Sequence, residues 1–175
     1  MEAQMEKPER ILIIGSPGAG KSTLARKLAQ ILDLPLVYLD MIYHQVDHTV
    51  LSQVEFDKQL KTELEKPDWI MDGNYARTLS ERQKKADLVI YLDYPTEICL
   101  QGIRERIGKP REDMPWETET ELDPEFEEFV RNFDQTKPEL EEKLKSHANV
   151  HIMHSRKEAS EFLEEISRNF SSAAE

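Results

Sequence analysis

The sequence has little cysteine and no long apolar run. A single cysteine, Cys99, occurs among 175 residues, so an intramolecular disulfide is excluded and a reducing compartment is favoured. The first nine residues are polar and acidic, unlike a signal peptide, and no apolar run approaches the roughly 20 residues of a membrane-spanning helix. We therefore expect a cytoplasmic protein that does not enter a membrane.

Basic residues are outnumbered by acidic ones. The chain carries 35 Asp and Glu against 23 Lys and Arg, which gives a formal net charge of −12. Because nucleic-acid-binding surfaces are usually basic, this composition argues against direct binding of DNA or RNA. A phosphate ligand would instead be held locally, by backbone N–H groups, a helix N-terminus and a few arginines, since salt screens charges beyond about 10 Å.

Short apolar runs alternate with helical patterns along the chain, whose length is that of one ordinary domain. The runs are Arg10–Gly15, Leu36–Asp40, Trp69–Gly73, Asp87–Asp93 and Asn149–His154. Both faces of each run are rich in branched or aromatic residues, as in a parallel sheet covered by helices. The alternation predicts one α/β domain, residues 1–175, with a five-stranded parallel sheet flanked by helices.

Three capping patterns mark where helices begin. Ser52 and Ser155 each precede a glutamate by three residues, and Asp123 stands directly before a proline. Apolar residues at spacings of three or four follow two of these starts, as expected for helices that bury one face.

A charged segment interrupts the alternation. From Gly108 to Glu121 the chain has Pro, Gly and many charges but no apolar period, so we expect an exposed loop that works as a lid, at about residues 107–123. Arginines crowd its entry, and Arg106 and Arg111 are the strongest candidates for a role in the lid. Arg104, and Arg131 on the far side of the loop, are weaker candidates, because solvated arginines on a helix face are common.

The segment "GSPGAGKS" satisfies the pattern G-x-x-x-x-G-K-[ST] and lies between an apolar run and a helical pattern. Its glycines let consecutive N–H groups point inward at the start of a helix, which forms a cradle for a polyphosphate. Lys21 would reach the β and γ phosphates, and the Ser22 hydroxyl would bind Mg²⁺. The sequence thus predicts binding of ATP with Mg²⁺. The predicted nucleotide-binding residues are Gly15, Ser16, Pro17, Gly18, Ala19, Gly20, Lys21, Ser22 and Thr23.

Other features favour a kinase of small molecules among the proteins that bind a nucleoside triphosphate through this motif. The N-K-x-D tetrapeptide typical of GTPases is missing, and the chain has no room for the second module of a motor ATPase. Asp40 and Asp72 each end an apolar run, so both should lie at the same sheet edge as the phosphate loop. There either carboxylate could organise Mg²⁺ waters or accept a substrate proton as a general base, although capping or turn formation is an alternative for both. Asp93, which ends a third run, is expected to cap the next helix.

The segments "GSPGAGKST", "MDGNYART" and "VIYLDYPTEICLQGIRERI" resemble, in this order, the adenylate kinase superfamily. "WIMDGNYARTLSERQKKADLVIYLD" and "GKPREDMPW" are more closely similar to the bacterial group labelled DNA topology modulation proteins. The resemblance implies a P-loop NTPase of adenylate-kinase-like fold with a lid insertion. It also implies that Asp72 acts on Mg²⁺ through water, that Arg77 holds the phosphate of the acceptor, and that Arg106 is a lid arginine that reaches ATP.

The chain departs from the adenylate kinase pattern at two places. "DGNYART" is one residue longer than D-G-F-P-R-T and lacks its proline, and Gly102 stands where adenylate kinases usually have an arginine, so AMP is not favoured as the acceptor. The lid has no set of cysteines, which excludes a zinc-bearing lid.

We therefore expect an ATP- and Mg²⁺-dependent phosphotransferase, similar to nucleoside or nucleoside-monophosphate kinases, whose small-molecule acceptor is open. The expected catalytic residues are Lys21, Arg106, Arg111 and Asp40, the substrate-binding residues are Asp40, Asp72, Gly73, Asn74 and Arg77, and the metal ligands are Ser22 and Asp72. The alternative is a regulatory ATP-binding protein with weak ATPase activity and no small-molecule acceptor.

Overall fold

The computed structural model describes residues 5–116 and 118–171. The start of the polar N-terminal segment and Glu117 of the predicted lid lie outside the described residues. The elements in chain order are β1 (Arg10–Gly15), α1 (Lys21–Leu32), β2 (Leu36–Tyr38), α2 (Leu39–Tyr43), α3 (Gln53–Leu64), β3 (Trp69–Asp72), α4 (Ala76–Lys85), β4 (Leu88–Leu92), α5 (Thr96–Arg106), α6 (Pro124–Arg131), a 3₁₀ turn (Phe133–Gln135), α7 (Lys137–Leu144), β5 (Val150–Met153) and α8 (Arg156–Phe170).

The strands form one parallel sheet in the order β2-β3-β1-β4-β5, which confirms the predicted architecture. The central strand β1 is made of branched residues that are fully buried from Ile11 to Ile14. Ile13 of β1 lies beside Asp72 of β3 in the register. The loop after β1 and the carboxylate of Asp72 therefore emerge together at the carboxyl edge of the sheet.

Helices cover both faces of the sheet. Leu28 of α1, Ile103 of α5 and Phe162 of α8 belong to the core on one face, and Phe56 of α3 and Leu79 of α4 belong to the core on the other. The three predicted helix starts are confirmed by hydrogen bonds from backbone N–H groups to the capping side chains. The capping residues are Ser52, Asp123 and Ser155.

Two predictions for the aspartates that end apolar runs differ from the structure. Strand β2 stops at Tyr38, so Asp40 lies in the first turn of α2 and not at the end of a strand. The turn into α2 lets the fully buried Leu39 pack against Gly73, where any side chain would collide with it. Asp93 does not cap α5, because its carboxylate forms an ion pair with Lys137 at 2.8 Å.

The predicted lid between α5 and α6 contains neither helix nor strand in its described part. It is nevertheless less exposed than its composition indicates. The Gly108 N–H donates to the Glu119 carbonyl oxygen at 2.8 Å, and Asp113 is only 8% exposed. The loop is therefore packed against the domain. No helix in the described residues has the length and apolar character needed to cross a membrane.

Candidate functional site

The predicted phosphate loop connects β1 to α1 and rests on the backbone of α5. Gly18 and Gly102 face each other so closely that a Cβ on Gly18 would overlap the backbone of Cys99, and one on Gly102 would overlap Gly18. Gly18 also has a φ of 84°, which favours glycine. The glycine at position 102, where the resembling kinases carry an arginine, is therefore required by the contact between α5 and the loop.

The open end of α1 is a potential anion site. The Leu24 N–H makes the first helical hydrogen bond, to the Gly20 carbonyl oxygen at 3.0 Å. The N–H groups of Lys21, Ser22 and Thr23 precede it and have no acceptor within the helix. A Cβ on Gly20 would meet no atom within 4 Å, so the loop is open at this point. Backbone N–H groups at a helix start favour phosphate.

Five charged groups meet beside the loop. The Lys21 Nζ donates to the Ser16 carbonyl oxygen at 3.2 Å, and burial lowers the pKa of Lys21 against the opposing effect of nearby carboxylates. Burial raises the pKa of Asp72 to about 6, with smaller effects from Lys21, which lowers it, and from Asp40 and Asp113, which raise it. Arg106 is the fifth member and also lowers the pKa of Asp72. The structure thus brings the predicted residues Lys21, Asp40, Asp72 and Arg106 together.

Two cavities flank this group. The first, here called the basic cavity, has a volume of about 520 Å³ and is lined by six cations and two carboxylates. The cations are Arg26, Lys27, Arg106, Lys109, Arg111 and Arg156, and the carboxylates are Glu105 and Glu112. The second, here called the acidic cavity, has a volume of about 630 Å³ and is lined by three cations and six carboxylates. The cations are Lys21, Arg106 and Arg111, and the carboxylates are Asp40, Asp72, Asp113, Glu119, Glu121 and Asp123. Ser22, Arg106 and Arg111 line both cavities.

The lid arginines differ in what they bind. The guanidinium of Arg106 makes no hydrogen bond or ion pair with any residue in 5–116 or 118–171, and its burial lowers its pKa. Arg111 binds Asp113 through two hydrogen bonds, at 2.8 and 3.2 Å. Arg104 and Arg131 both pair with Glu127 and line neither cavity, so the structure does not support a lid role for these two.

Asn74 and Arg77, two of the residues predicted to bind the substrate, form hydrogen bonds within the protein. Asn74 lines the acidic cavity, but its amide accepts from the Gly15 N–H at 2.9 Å and donates to the Gly15 carbonyl oxygen at 2.6 Å. Asn74 therefore braces the start of the phosphate loop. Arg77, expected to hold a phosphate, binds Asp57 of α3 at 2.7 and 3.1 Å and lines neither cavity. Because α4 begins at Ala76, Arg77 lies on its first turn facing α3. The phosphate-holding role that the resemblance implies for Arg77 therefore stays a prediction.

Sequence reasoning missed Tyr75 and Arg82. The Tyr75 hydroxyl donates to Asp40 Oδ1 at 2.5 Å, and burial followed by the charge of Asp40 raises the pKa of Tyr75, so the hydroxyl keeps its proton. Arg82 is fully buried and donates to the carbonyl oxygens of Gly73, Asn74 and Tyr75. Its burial lowers its pKa to about 9. Arg82 also donates to the hydroxyl of Thr78, four residues earlier on the same helix. This spacing of four was the one signal in the sequence that could have pointed to Arg82.

The lid also meets the loop that follows α2. Trp116 stacks on His48 with ring centroids 4.4 Å apart and contacts the edge of His44 at 5.2 Å. Trp116 and His44 both line the acidic cavity. The segment from Asp40 to His48 is therefore joined to the lid over this cavity.

The donor chemistry beside the loop fits Mg²⁺. The Ser22 hydroxyl and the Asp72 carboxylate are hard oxygen donors, and Asp72 is 8% exposed without a hydrogen bond or ion pair to any described residue. The described residues contain no group of three His, Cys, Asp or Glu side chains that could hold a metal ion. Ser22 and Asp72 would thus hold the ion together with phosphate oxygens and water, as is usual for Mg²⁺.

Known proteins share this architecture. A family model described as an AAA domain matches residues 11–128. A cytidylate kinase from Pyrobaculum aerophilum is 33% identical over 81 residues, which are 46% of this chain and 41% of the relative. A shikimate kinase from Rhodococcus jostii is 30% identical over 98 residues, which are 48% of this chain and 58% of the relative. The chain thus spans about half the length of these curated relatives.

The structural neighbours have the fold of P-loop kinases. The crystal structure of a gluconokinase from Sinorhizobium meliloti superposes with a TM-score of 0.58 and covers 95% of this chain and 93% of its own. At 14% sequence identity this likeness shows the fold alone.

Proposed function

The chain belongs to the AAA domain family, and from this premise we propose that it is an ATP-dependent kinase of a small molecule. The observation that carries the proposal is the pair of cavities that meet at the phosphate loop and share Ser22, Arg106 and Arg111. One cavity would hold the donor and the other the acceptor. The similarity to proteins named cytidylate kinase and shikimate kinase supports a small acceptor. "DGNYART" and "GKPREDMP" support grouping the chain with the bacterial DNA topology modulation proteins within the adenylate-kinase-like superfamily.

The basic cavity would bind ATP. Its surplus of cations suits a triphosphate, and the N–H groups of Lys21, Ser22 and Thr23 at the start of α1 would hold the phosphate tail. Ser22 and Asp72 would hold Mg²⁺, which when bound neutralises phosphate charge. The remaining residues of the predicted segment Gly15–Thr23 shape the loop.

The acidic cavity would bind the acceptor. The acceptor hydroxyl oxygen would attack the γ-phosphorus, and the bond from that phosphorus to the β–γ bridging oxygen would break. Asp40 would take the hydroxyl proton, and the products would be ADP and a phosphate monoester. The Tyr75 hydroxyl on Asp40 Oδ1 would orient the carboxylate so that Oδ2 faces the acceptor. Lys21, Arg106 and Arg111 would stabilise the charge of the phosphoryl group in transit.

A coupled assay of ADP release tests the proposal when a panel of nucleosides, nucleotides, sugars and other hydroxyl compounds is supplied with ATP and Mg²⁺. We expect one compound class to stimulate ADP release. Lys21→Ala should reduce this turnover by roughly 10²- to 10³-fold or more, because it removes a cation from the site of charge transfer.

Lys61→Ala is the matched control, because Lys61 is an exposed helical lysine away from both cavities. Unchanged turnover in Lys21→Ala would contradict the kinase assignment. Tight ATP binding with slow hydrolysis that no compound accelerates would favour the regulatory alternative.

A further inference from the structure

The acidic cavity has an excess of negative charge at the place proposed for the acceptor. Six carboxylates and three cations line it. One of the cations, Arg111, is already paired with Asp113 at 2.8 Å and lies 3.7 Å from Glu119. The other two, Lys21 and Arg106, adjoin the phosphate loop, where the triphosphate would engage them. Within the described lining, no further Lys or Arg remains for an anionic group on the acceptor.

Nearby arginines do not change this balance. Arg77 is bound to Asp57 outside the cavity, and Arg82 is buried with its donors on backbone carbonyl oxygens. Recognition of a phosphate or carboxylate usually depends on an arginine fork or a helix start. The helix start at this site lies at the phosphate loop and would be taken by ATP.

Two independent features favour a cation in the acidic cavity. Asp72 is more than nine-tenths buried, lines the cavity, and has no hydrogen bond or ion pair to any described residue. A carboxylate accepts through two oxygens, so Asp72 could face the Mg²⁺ that it would hold with Ser22 and still accept from an ammonium group on the acceptor. Aromatic side chains form part of the wall, among them Tyr75, Trp116 and Phe126. Carboxylates bind ammonium groups through charge-assisted hydrogen bonds, and aromatic faces attract them.

We propose that the phosphoryl acceptor is an amino alcohol or amino sugar, a hydroxyl compound that also carries an ammonium group. The inference rests on the proposed function, because it names the acceptor of that transfer. The ammonium group binds among the carboxylates and aromatic rings, and the hydroxyl lies toward Asp40 and the phosphate loop. Acceptors that carry a phosphate or carboxylate, such as nucleoside monophosphates and hydroxy acids, are repelled by the same carboxylates.

Matched pairs of acceptors test the inference through ADP release. Glucosamine is compared with glucuronate, and serinol with glycerate, so that the members of a pair are similar in size and differ in the sign of their charge. We expect kcat/KM for the amine to exceed that for the acid by at least tenfold. A higher kcat/KM for the acids, or for cytidine monophosphate than for any amine, would overturn the inference and leave the kinase assignment intact. Equal rates of ADP release by the native protein and by Lys21→Ala would instead overturn the kinase assignment.

A second measurement probes the cavity without any acceptor. The chain has two tryptophans, of which Trp69 is fully buried and Trp116 lines the acidic cavity. Fluorescence quenching by Cs⁺ and by iodide is compared at equal ionic strength, each relative to its quenching of free N-acetyltryptophanamide, and Trp116→Phe supplies the contribution of Trp69. We expect Cs⁺ to quench Trp116 several-fold more efficiently than iodide.

The variant Glu121→Gln, at the exposed rim of the cavity, should reduce the ratio of Cs⁺ quenching to iodide quenching of Trp116. Glu125→Gln is the matched control, since Glu125 is exposed and lies outside the cavity lining. Iodide quenching equal to or stronger than that of Cs⁺ would overturn the inference whether or not an acceptor has been found. An equal effect of both variants would overturn it too, because the signal would then report only the net charge of the protein.

Discussion

The basic and acidic cavities share three residues but are built in different ways. In the basic cavity, the backbone and the helix start that are predicted to bind phosphate come from one continuous stretch, Gly18 to Lys27, while four of the six cations come from α5, the lid and α8. The acidic cavity combines side chains from α2, from the segment after β3, from the lid and from α6. The predicted phosphate loop is thus encoded locally, whereas the rest of both cavities exists only once the fold has brought separate segments together.

The proposed function also explains how an acidic protein could hold a triphosphate. The net charge of −12 predicts repulsion of phosphate, yet six cations line the basic cavity. Charges beyond about 10 Å are screened, so the local surplus decides binding. The negative surplus is kept on the other side of the phosphate loop, in the acidic cavity.

Arg106 connects the two cavities, and its removal should have the largest effect after that of Lys21. Arg106→Ala should lower kcat/KM by about 10²- to 10³-fold, because it deletes a cation that lines both cavities and would stabilise the phosphoryl group in transit. Steady-state ADP release with each substrate varied in turn measures the effect. Arg104→Ala is the matched control on the same helix, since Arg104 is bound to Glu127 outside the cavities. Equal losses in the two variants would show that the cavities do not meet at Arg106.

The burial of Asp72 in the acidic cavity should lower the free energy of unfolding at neutral pH. Its pKa of about 6 in the folded protein exceeds the ordinary value of 3.8, so the folded state holds this proton more tightly than the unfolded state. Stability from this group is therefore complete below about pH 4 and is lost as the pH rises through 6. Asp72→Asn should remove the loss and raise the free energy of unfolding at pH 7.5 by on the order of 2–3 kcal/mol.

Urea unfolding at a series of pH values between 4 and 7.5 measures this difference. The variant and the native protein should be about equally stable at pH 4 and diverge above it, while turnover of the variant is reduced. Glu164→Gln, an exposed carboxylate on α8, should leave the pH dependence unchanged. Parallel stability curves for native protein and Asp72→Asn would mean that Asp72 ionises as freely in the folded state as in the unfolded chain.

The sheet and the phosphate loop were predictable from local sequence. Arg10–Gly15 is a strand because its branched residues are buried on both faces, and Ser52 caps a helix through an interaction three residues away. Asp40 was misplaced because the helix that carries it depends on the packing of Leu39 against Gly73, a contact between distant segments. Burial of Arg82 was not predictable, because its carbonyl partners converge only in the folded chain.

Tyr75 and Arg77 give the finest test of the acidic cavity, because they are two residues apart and only Tyr75 lines it. Tyr75→Phe removes the hydroxyl that holds Asp40, so we expect about a tenfold loss of kcat with the acceptor and less than a twofold change in the KM for ATP. Arg77→Ala removes an exposed ion pair with Asp57 and should change both parameters less than twofold. If Arg77→Ala instead raised the KM of the acceptor more than Tyr75→Phe lowered kcat, Arg77 would reach the acceptor in the working enzyme, as the adenylate kinase resemblance implies. That result would also supply a cation for the acidic cavity and would admit a phosphate-bearing acceptor. The variant Arg77→Ala, for which we expect the smallest effect, therefore decides between a cationic and an anionic substrate.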